Sequence, residues 1–170
     1  MTAHRALHLY ALALGSNRAL SAGRTPARLL QEAALRISAL GYVRAVAPVL
    51  ATRPLGPSAR QFANSALIVE SALTPDEMLK ALQGIEDKLG RRRHRRWGAR
   101  SIDIDIILWS GGCWQSRSLT IPHPAFHLRE FVLDPLRQIA PGWRHPVSGR
   151  FVRHLHARLR KAAPIPLPRG

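Results

Sequence analysis

Two helix starts of the same kind constrain the fold of this chain more than any other feature of its sequence. Thr25-Pro26 and Thr74-Pro75 each place a capping hydroxyl before a proline, which is typical of a helix N-terminus. Apolar residues then recur at helical spacing up to a glycine, Gly41 or Gly90, where we expect each helix to end. Apolar runs before, between and after these helices predict strands, which gives the order β-α-β-β-α-β.

The predicted strands are rich in apolar and β-branched residues and lie between turn signals. They cover residues 8–14, 42–51, 62–72 and 101–109. Their order with the two helices predicts an α+β fold of the ferredoxin-like class, with helices on one face of an antiparallel sheet and a C-terminal extension. In that extension we expect a short extended piece at 119–122, a strand at 129–133 and helices at 134–139 and 151–160.

The length of 170 residues and the hydrophobic content of 46% fit one globular domain, which we place at residues 1–161. Residues 162–170 contain three prolines, and we expect a frayed tail there. The single cysteine, Cys113, excludes an intrachain disulfide and a cysteine metal cluster, which is consistent with a cytoplasmic protein. No apolar run has the length of a membrane-spanning helix, and we expect a monomer with no membrane partner.

The chain is strongly basic, with a formal charge of +16 from 26 Lys and Arg against 10 Asp and Glu. All the acidic residues lie between Glu32 and Asp134, so both ends of the chain are purely basic. An excess of this size favours contact with polyanions but gives no information about the fold. We therefore expect nucleic acid to bind only nonspecifically, if it binds.

One stretch joins a basic loop to a strand that carries two carboxylates. Six arginines lie between Arg91 and Arg100, and Asp103 and Asp105 follow on an isoleucine-rich strand. Residues i and i+2 of a strand share a face, and two carboxylates on one face beside phosphate oxygens form a typical Mg²⁺ site. Because arginines hold phosphates by charge-assisted hydrogen bonds, the stretch predicts a Mg-nucleotide site. Taken alone, the arginines fit a solvated loop or a nonspecific nucleic-acid patch equally well.

The remaining candidate residues have ordinary explanations beside the functional ones. His123, between two prolines, suits a phosphate contact and a turn equally well. Phe62 and Phe131 are equally consistent with core aromatics, and Asn64 with a local backbone contact. The turn at Gly15 lacks the GxxxxGK[ST] pattern, which excludes a P-loop kinase as far as the motif goes.

The sequence RWGARSIDIDII at residues 96–107 closely resembles the signature of the 6-hydroxymethyl-7,8-dihydropterin pyrophosphokinase family of folate biosynthesis. Further segments resemble the family in the same order: 14–17, 52–57 with 62–64, 83–86, 121–124 and 129–133. The resemblance covers nearly the whole chain, from about residue 9 to about residue 159. It implies transfer of pyrophosphate from ATP to the hydroxymethyl group of the pterin, release of AMP, and a pair of Mg²⁺ ions as cofactor.

The resemblance also implies a role for each matching residue. Asp103 and Asp105 match the ligands of both ions, and Arg91 and Arg93 match catalytic arginines of a mobile loop. The ATP-binding positions are Gln83, Glu86, Arg96, Trp97, Arg100, His123 and Arg129. The pterin-binding positions are Thr52, Leu55, Phe62, Asn64 and Phe131, with the two phenylalanines stacking on the pterin ring.

Two other functions are left open. A basic nucleic-acid-binding protein of ferredoxin-like fold would expose aromatic residues along its sheet for base stacking, and it has no need of Asp103 and Asp105. An inactive relative would bind the pterin or the nucleotide without turnover, although every recognised site residue is retained. Ala99 and Arg53 depart from the family pattern, in which a proline and an apolar residue are usual at these positions.

Overall fold

The structure is a computed structural model that describes residues 5–52, 62–90 and 101–162. The strands are β1 (His8–Ser16), β2 (Tyr42–Val46), β3 (Leu50–Thr52), β4 (Phe62–Ser71), β5 (Asp103–Trp109), β6 (Trp114–Gln115) and β7 (Thr120–Ile121). The helices are α1 (Pro26–Ile37), α2 (Pro75–Lys88), α3 (Glu130–Ile139) and α4 (Val152–Ala162), with a 3-10 turn at Phe126–Leu128. These bounds confirm the predicted order of elements as far as β5, except that the single strand predicted at 42–51 is two strands, β2 and β3, which both pair with β4.

The main sheet has the strand order β2-β4-β1-β5, and β3 also pairs with β4. All four pairings are antiparallel, so β1 lies between its two antiparallel neighbours β4 and β5. This is the strand arrangement of a ferredoxin-like sheet, and the predicted fold class is confirmed. β6 and β7 form a separate two-stranded sheet.

The helices α1 and α2 cover one face of the sheet and begin as their sequences predict. The Thr25 hydroxyl caps α1, and Thr74 forms a capping box with Glu77 at the start of α2. Leu30 of α1 and Leu82 of α2 pack among the buried residues of this face, which also include Leu12 of β1. Full burial of one such side chain contributes about 1.5–3 kcal/mol, so this core supplies a large part of the stability.

The helices α1 and α2 of the core lie on one face, as expected, and the C-terminal extension covers the opposite face with α3, against which α4 packs. The predicted strand at 129–133 is wrong, because these residues begin α3, in which Val132, Leu133 and Leu136 are buried. The three apolar residues Phe131 to Leu133 are too few to distinguish the period of a strand from that of a helix. Pro135, which lies inside α3, favoured a boundary between two elements just before it, because residues that precede a proline disfavour the helical conformation. The helices predicted at 134–139 and 151–160 are confirmed as parts of α3 and α4.

Two glycines that were predicted to end helices have different roles. Gly90 has a φ of 86°, and it follows the C-cap Leu89 of α2 as predicted. α1 instead ends at Ile37, four residues before Gly41. A Cβ on Gly41 would lie 2.1 Å from the Glu70 carbonyl oxygen, so this glycine allows the chain to pass close to β4.

Most of the predicted tail, residues 163–170, lies outside the described residues, while Ala162 is the last residue of α4. The assignment of residues 1–161 to one domain stays a prediction. Within the described ranges, no helix combines the length and the apolar character needed to cross a membrane.

Candidate active site

The register of the sheet brings predicted metal-binding and pterin-binding residues onto one face. Gly15 of β1 pairs with Asn64 of β4 on one side and with Asp103 of β5 on the other. Paired residues of antiparallel strands direct their side chains to the same face, so Asn64 and Asp103 flank Gly15. A Cβ on Gly15 would lie 3.4 Å from Asn64 Oδ1. The glycine therefore keeps the strip of sheet between these two polar side chains open.

Asp103 and Asp105 share this face at the start of β5. Asp105 pairs with Ala13, which belongs to the core beneath α3 and α4, whereas Ile104 and Ile106 belong to the core beneath α1 and α2. Both aspartates are partly buried. Two carboxylates on one face, at the border between a core and solvent, provide the hard oxygen ligands that Mg²⁺ prefers.

His123 lies near the two aspartates and is tied to their strand. Its backbone N–H donates to the Ile107 carbonyl at 3.0 Å, and its ring Nδ1 accepts from the Ala125 N–H at 3.3 Å. Burial lowers the pKa of His123, Asp105 opposes that shift, and Arg129 adds to it. Because Nδ1 accepts a hydrogen bond, the neutral ring carries its proton on Nε2, where it can be donated to a phosphate oxygen.

Arg129 and Phe131 lie at the start of α3. Arg129 is the N-cap residue, and its carbonyl accepts from the N–H groups of Val132 and Leu133 at 3.1 and 3.0 Å. Val132 and Leu133 are buried, whereas 48% of Phe131 is exposed. The start of α3 therefore presents a guanidinium that acts on His123 and an aromatic ring that is open to a ligand.

Phe62 is the second exposed phenylalanine of the predicted pterin site. It begins β4, pairs with Thr52 of β3 and lies two residues before Asn64, so it shares the face of Asn64. Phe62 is 38% exposed, and neither Phe62 nor Phe131 belongs to a core cluster. The alternative that the two phenylalanines are core aromatics is therefore wrong. Exposed aromatic rings suit a flat ligand that stacks against them.

Gln83 and Glu86 lie on α2. Gln83 is partly buried. Glu86 is only 1% exposed, and its Oε1 accepts from the Ile104 N–H at 2.7 Å. The resemblance implied an ATP contact for Glu86, and the structure adds a contact with the backbone between Asp103 and Asp105.

Two serines near the site were missed by sequence reasoning. The Ser16 hydroxyl, at the end of β1, donates to the Ser101 carbonyl at 2.5 Å. This bond joins the end of β1 to the chain that enters β5. Both serines lie within segments that carry the family resemblance, 14–17 and 96–107, but no role was assigned to either of them.

Several predicted site residues cannot be placed in this geometry. Those outside the described residues are Leu55, Arg91, Arg93, Arg96, Trp97 and Arg100. For Thr52, the backbone pairing with Phe62 is described, but its side chain is not. The roles assigned to these residues stay predictions.

A second group of potential metal ligands lies between α3 and α4. Ligand atoms of Glu130, Asp134 and His156 all lie within 4.8 Å of one another. The two carboxylates already have basic partners on α4: Asp134 contacts His156 at 2.5 Å, and Glu130 accepts from Arg160 at 2.7 Å. We interpret this group as a network of one ion pair and one histidine–carboxylate hydrogen bond that holds α4 against α3.

Comparisons with known proteins agree with the predicted family. The family described as 7,8-dihydro-6-hydroxymethylpterin-pyrophosphokinase (HPPK) matches residues 11–141. A Haemophilus influenzae protein named 2-amino-4-hydroxy-6-hydroxymethyldihydropteridine pyrophosphokinase is 40% identical over 132 residues, which are 76% of this chain and 79% of that protein. A Pseudomonas aeruginosa protein of the same name is 38% identical over 149 residues, 86% of this chain and 88% of that protein.

Other similar proteins are longer than the matched region. A Synechocystis protein of the same name is 40% identical over 101 residues, 59% of this chain and 52% of that protein. A crystal structure of wild-type Plasmodium falciparum HPPK-DHPS has a TM-score of 0.71 at 15% identity and covers 92% of this chain. The match spans 42% of that Plasmodium chain, and at this identity it supports the fold alone.

The match to the family therefore covers most of the chain, and two bacterial relatives align with most of it at about two identical residues in five. The matched residues 11–141 include the residues of the polar sheet face, on which Asn64 and Asp103 flank Gly15 and Asp105 follows Asp103. This chain belongs to the 7,8-dihydro-6-hydroxymethylpterin-pyrophosphokinase family, as its sequence predicted.

Proposed function

We propose that this chain transfers pyrophosphate from ATP to the hydroxymethyl group of 6-hydroxymethyl-7,8-dihydropterin, giving the pterin diphosphate and AMP in folate biosynthesis. The observation that carries the proposal is the shared face of the sheet. It places a carboxylate pair, Asp103 and Asp105, beside the open position of Gly15, with Asn64 and the exposed Phe62 on the other side. Metal-bound phosphates and a flat polar ring can therefore approach one another on a single surface.

The reaction is a displacement at the β-phosphorus of ATP. The pterin hydroxyl oxygen forms a bond to that phosphorus, and the bond from it to the oxygen bridging the α-phosphorus breaks. AMP leaves with the bridging oxygen, and the hydroxyl proton passes to solvent. Nothing in this step requires a strong base, so the protein contributes mainly through position and charge.

Asp103 and Asp105 are the residues that we expect to hold Mg²⁺. Mg²⁺ bound there would neutralise the phosphate charge and orient the two reacting groups. His123 offers a neutral Nε2–H and Arg129 a fixed positive charge beside these carboxylates. We assign both to the phosphates of ATP, with Gln83 on the adjoining helix.

The pterin half of the proposed site comprises one amide side chain and two exposed aromatic rings. We assign Phe62 and Phe131 to stacking on the two faces of the pterin and Asn64 to hydrogen bonds with its polar edge. Asn64 is 7% exposed, so its amide is fixed before the pterin arrives. Thr52 and the backbone near Leu55 complete this half of the site in the proposal.

The arginines that precede β5 complete the nucleotide half of the site. We assign Arg96, Trp97 and Arg100 to ATP, and Arg91 and Arg93 to the phosphates during turnover. These assignments rest on the family match, and their signature lies within the matched residues 11–141. The cytoplasmic location, the monomeric state and the purely nonspecific contact with nucleic acid also stay predictions.

Product analysis tests the proposed function. The purified full chain is incubated with Mg²⁺, ATP and the dihydropterin alcohol, and nucleotides and pterins are separated by chromatography. We expect equal amounts of AMP and pterin diphosphate, and no AMP without the pterin or with a chelator. Formation of ADP and a pterin monophosphate would contradict the proposal. Salt-resistant binding of a defined RNA without consumption of ATP would favour the nucleic-acid-binding alternative.

A further inference from the structure

The strand that carries the two aspartates is held at its outer edge by a side chain from α2. In the described part of the sheet, β5 has a neighbouring strand on one side only, β1. Successive residues of a strand direct their N–H groups to opposite sides. The Ile104 N–H points away from β1, and it donates to Glu86 Oε1 at 2.7 Å. Glu86 therefore satisfies an edge N–H that lies between Asp103 and Asp105.

Glu86 is well placed to fix this edge. Its neighbour Ile85 and the C-cap residue Leu89 pack in the core beneath α1 and α2, so the end of α2 is anchored against the sheet. The Glu86 residue itself is 1% exposed. A hydrogen bond from an N–H to a carboxylate is shorter and stronger than one to a neutral acceptor.

A buried carboxylate is unfavourable unless it is paired, hydrogen-bonded or bound to a cation, and the Ile104 N–H is one partner that the Glu86 carboxylate has in the strand.

We propose that Glu86 is a positioning residue for the metal-binding pair. Its bond to Ile104 fixes the backbone between Asp103 and Asp105, and so sets the separation and direction of the two carboxylates. The inference rests on the proposed function, since it assigns the metal to these aspartates. It differs from the ATP contact that the family resemblance implied for Glu86, because the carboxylate acts through the strand.

Two conservative substitutions separate the two roles. Glu86→Gln keeps the length of the side chain and a carbonyl acceptor for Ile104 but removes the charge. Glu86→Asp keeps the charge but withdraws the acceptor by one methylene. Positioning through the strand therefore predicts that Glu86→Gln is the milder change, whereas a role of the charge itself predicts that Glu86→Asp is milder.

The experiment measures metal binding without turnover. Mn²⁺ replaces Mg²⁺ and is titrated by electron paramagnetic resonance, with an ATP analogue that has a methylene between its α- and β-phosphorus. We expect Glu86→Asp and Glu86→Ala to weaken Mn²⁺ binding about 10- to 100-fold, as is usual when a residue that orients metal ligands is lost. Glu86→Gln should restore most of the affinity. Glu32→Ala, which removes a partly exposed carboxylate of α1 that pairs with Arg24, is the control and should bind like the wild type.

Amide exchange gives a second readout that is independent of the metal. Exchange of the Ile104 N–H, followed by NMR, should be faster in Glu86→Asp and Glu86→Ala than in Glu86→Gln. If Glu86→Ala does not fold, the Asp and Gln variants decide the question alone. Equal Mn²⁺ affinity in all variants, or a stronger effect of Gln than of Asp, would overturn the proposal. The proposed function fails by a different result, the absence of AMP from the wild-type reaction.

Discussion

The two faces of the sheet differ along the same strands. Beneath α1 and α2 the central strand β1 presents Tyr10, Leu12 and Leu14, all of which are buried in one continuous core. On the opposite face β1 presents Ala11, Ala13 and then Gly15. One face is therefore filled by large apolar side chains from end to end. The other has small residues that let α3 approach, and it becomes open and polar at Gly15.

Because of this difference, adjacent residues of one strand contribute either to the stability of the fold or to the candidate site. On β5, Ile104 and Ile106 belong to the apolar face, and Asp103 and Asp105 belong to the polar one. A carboxylate on the apolar face would be buried without a cation, whereas on the polar face it is only partly buried. Substitutions on the two faces should accordingly change different properties of the protein.

The largest effect is expected on the polar face. Asp103→Asn or Asp105→Asn should lower kcat by about a thousandfold, because a metal ion supplies several kcal/mol of transition-state stabilisation and each 1.4 kcal/mol is about tenfold in rate. The free energy of unfolding should change by less than about 1 kcal/mol, since no buried apolar volume is removed. Steady-state kinetics and urea unfolding measure the two quantities. A loss of stability that accounts for the loss of activity would remove the distinction between the faces.

The next largest effect is expected on the apolar face. Leu30→Ala, at a residue of α1 that is 2% exposed, should lower the free energy of unfolding by about 2–5 kcal/mol. Its kcat, measured where the protein is fully folded, should stay within about twofold of wild type because α1 contributes no residue to the site. Leu35→Ala is the matched control on the same helix, since Leu35 is 74% exposed and should contribute almost nothing. A large loss of kcat in folded Leu30→Ala would show that the faces are coupled.

The smallest effect concerns the covered end of the polar face, where the His145 ring stacks on Phe126 at 5.6 Å. His145 Nδ1 accepts from the N–H groups of Val147 and Ser148 at 3.2 and 3.1 Å. Burial, and to a lesser degree His127, lowers the pKa of His145 below its ordinary 6.5. The unfolded chain therefore binds a proton at His145 more readily than the folded protein does. The contribution of neutral His145 to the free energy of unfolding is complete above pH 6.5 and declines as the pH falls below that value.

The measurement for His145 is urea unfolding between pH 7.5 and 5.5. His145→Asn keeps an acceptor for the two N–H groups but does not titrate, so the wild type should lose more stability over this range than the variant. The stacking lost in the variant lowers its stability at every pH and cancels in the comparison. Equal pH dependence in the two proteins would show that His145 does not contribute to the loss of stability in acid.

The sequence predicts one face of the molecule better than the other. Thr25 and Thr74 indicate the starts of α1 and α2, because a helix start depends on short-range capping. The strands β1 and β4 are predictable because their buried segments are strongly apolar. α3 was missed over 129–133 because three consecutive apolar residues, Phe131, Val132 and Leu133, fit the period of a strand as well as that of a helix. Its packing on the second face depends on contacts between distant parts of the chain, which no local pattern contains.

The candidate site divides in the same way. The shared face of Asp103 and Asp105 follows from the alternation of any strand, so it was predictable. The contact between Glu86 and Ile104 depends on the angle at which α2 lies against β5, and the role of Gly41 depends on its approach to Glu70. Such contacts are set by tertiary register, and the sequence signals only that residues of the right type are present.

The central claim is that the polar face brings a pterin hydroxyl to the β-phosphorus of metal-bound ATP. Turnover with ATP that carries a radioactive label in the β-phosphate tests it most directly. We expect all transferred label in the pterin diphosphate, unlabelled AMP, and a transfer about a thousandfold slower in folded Asp105→Asn. Label retained in a nucleoside diphosphate, with the pterin receiving only the γ-phosphate, would contradict it.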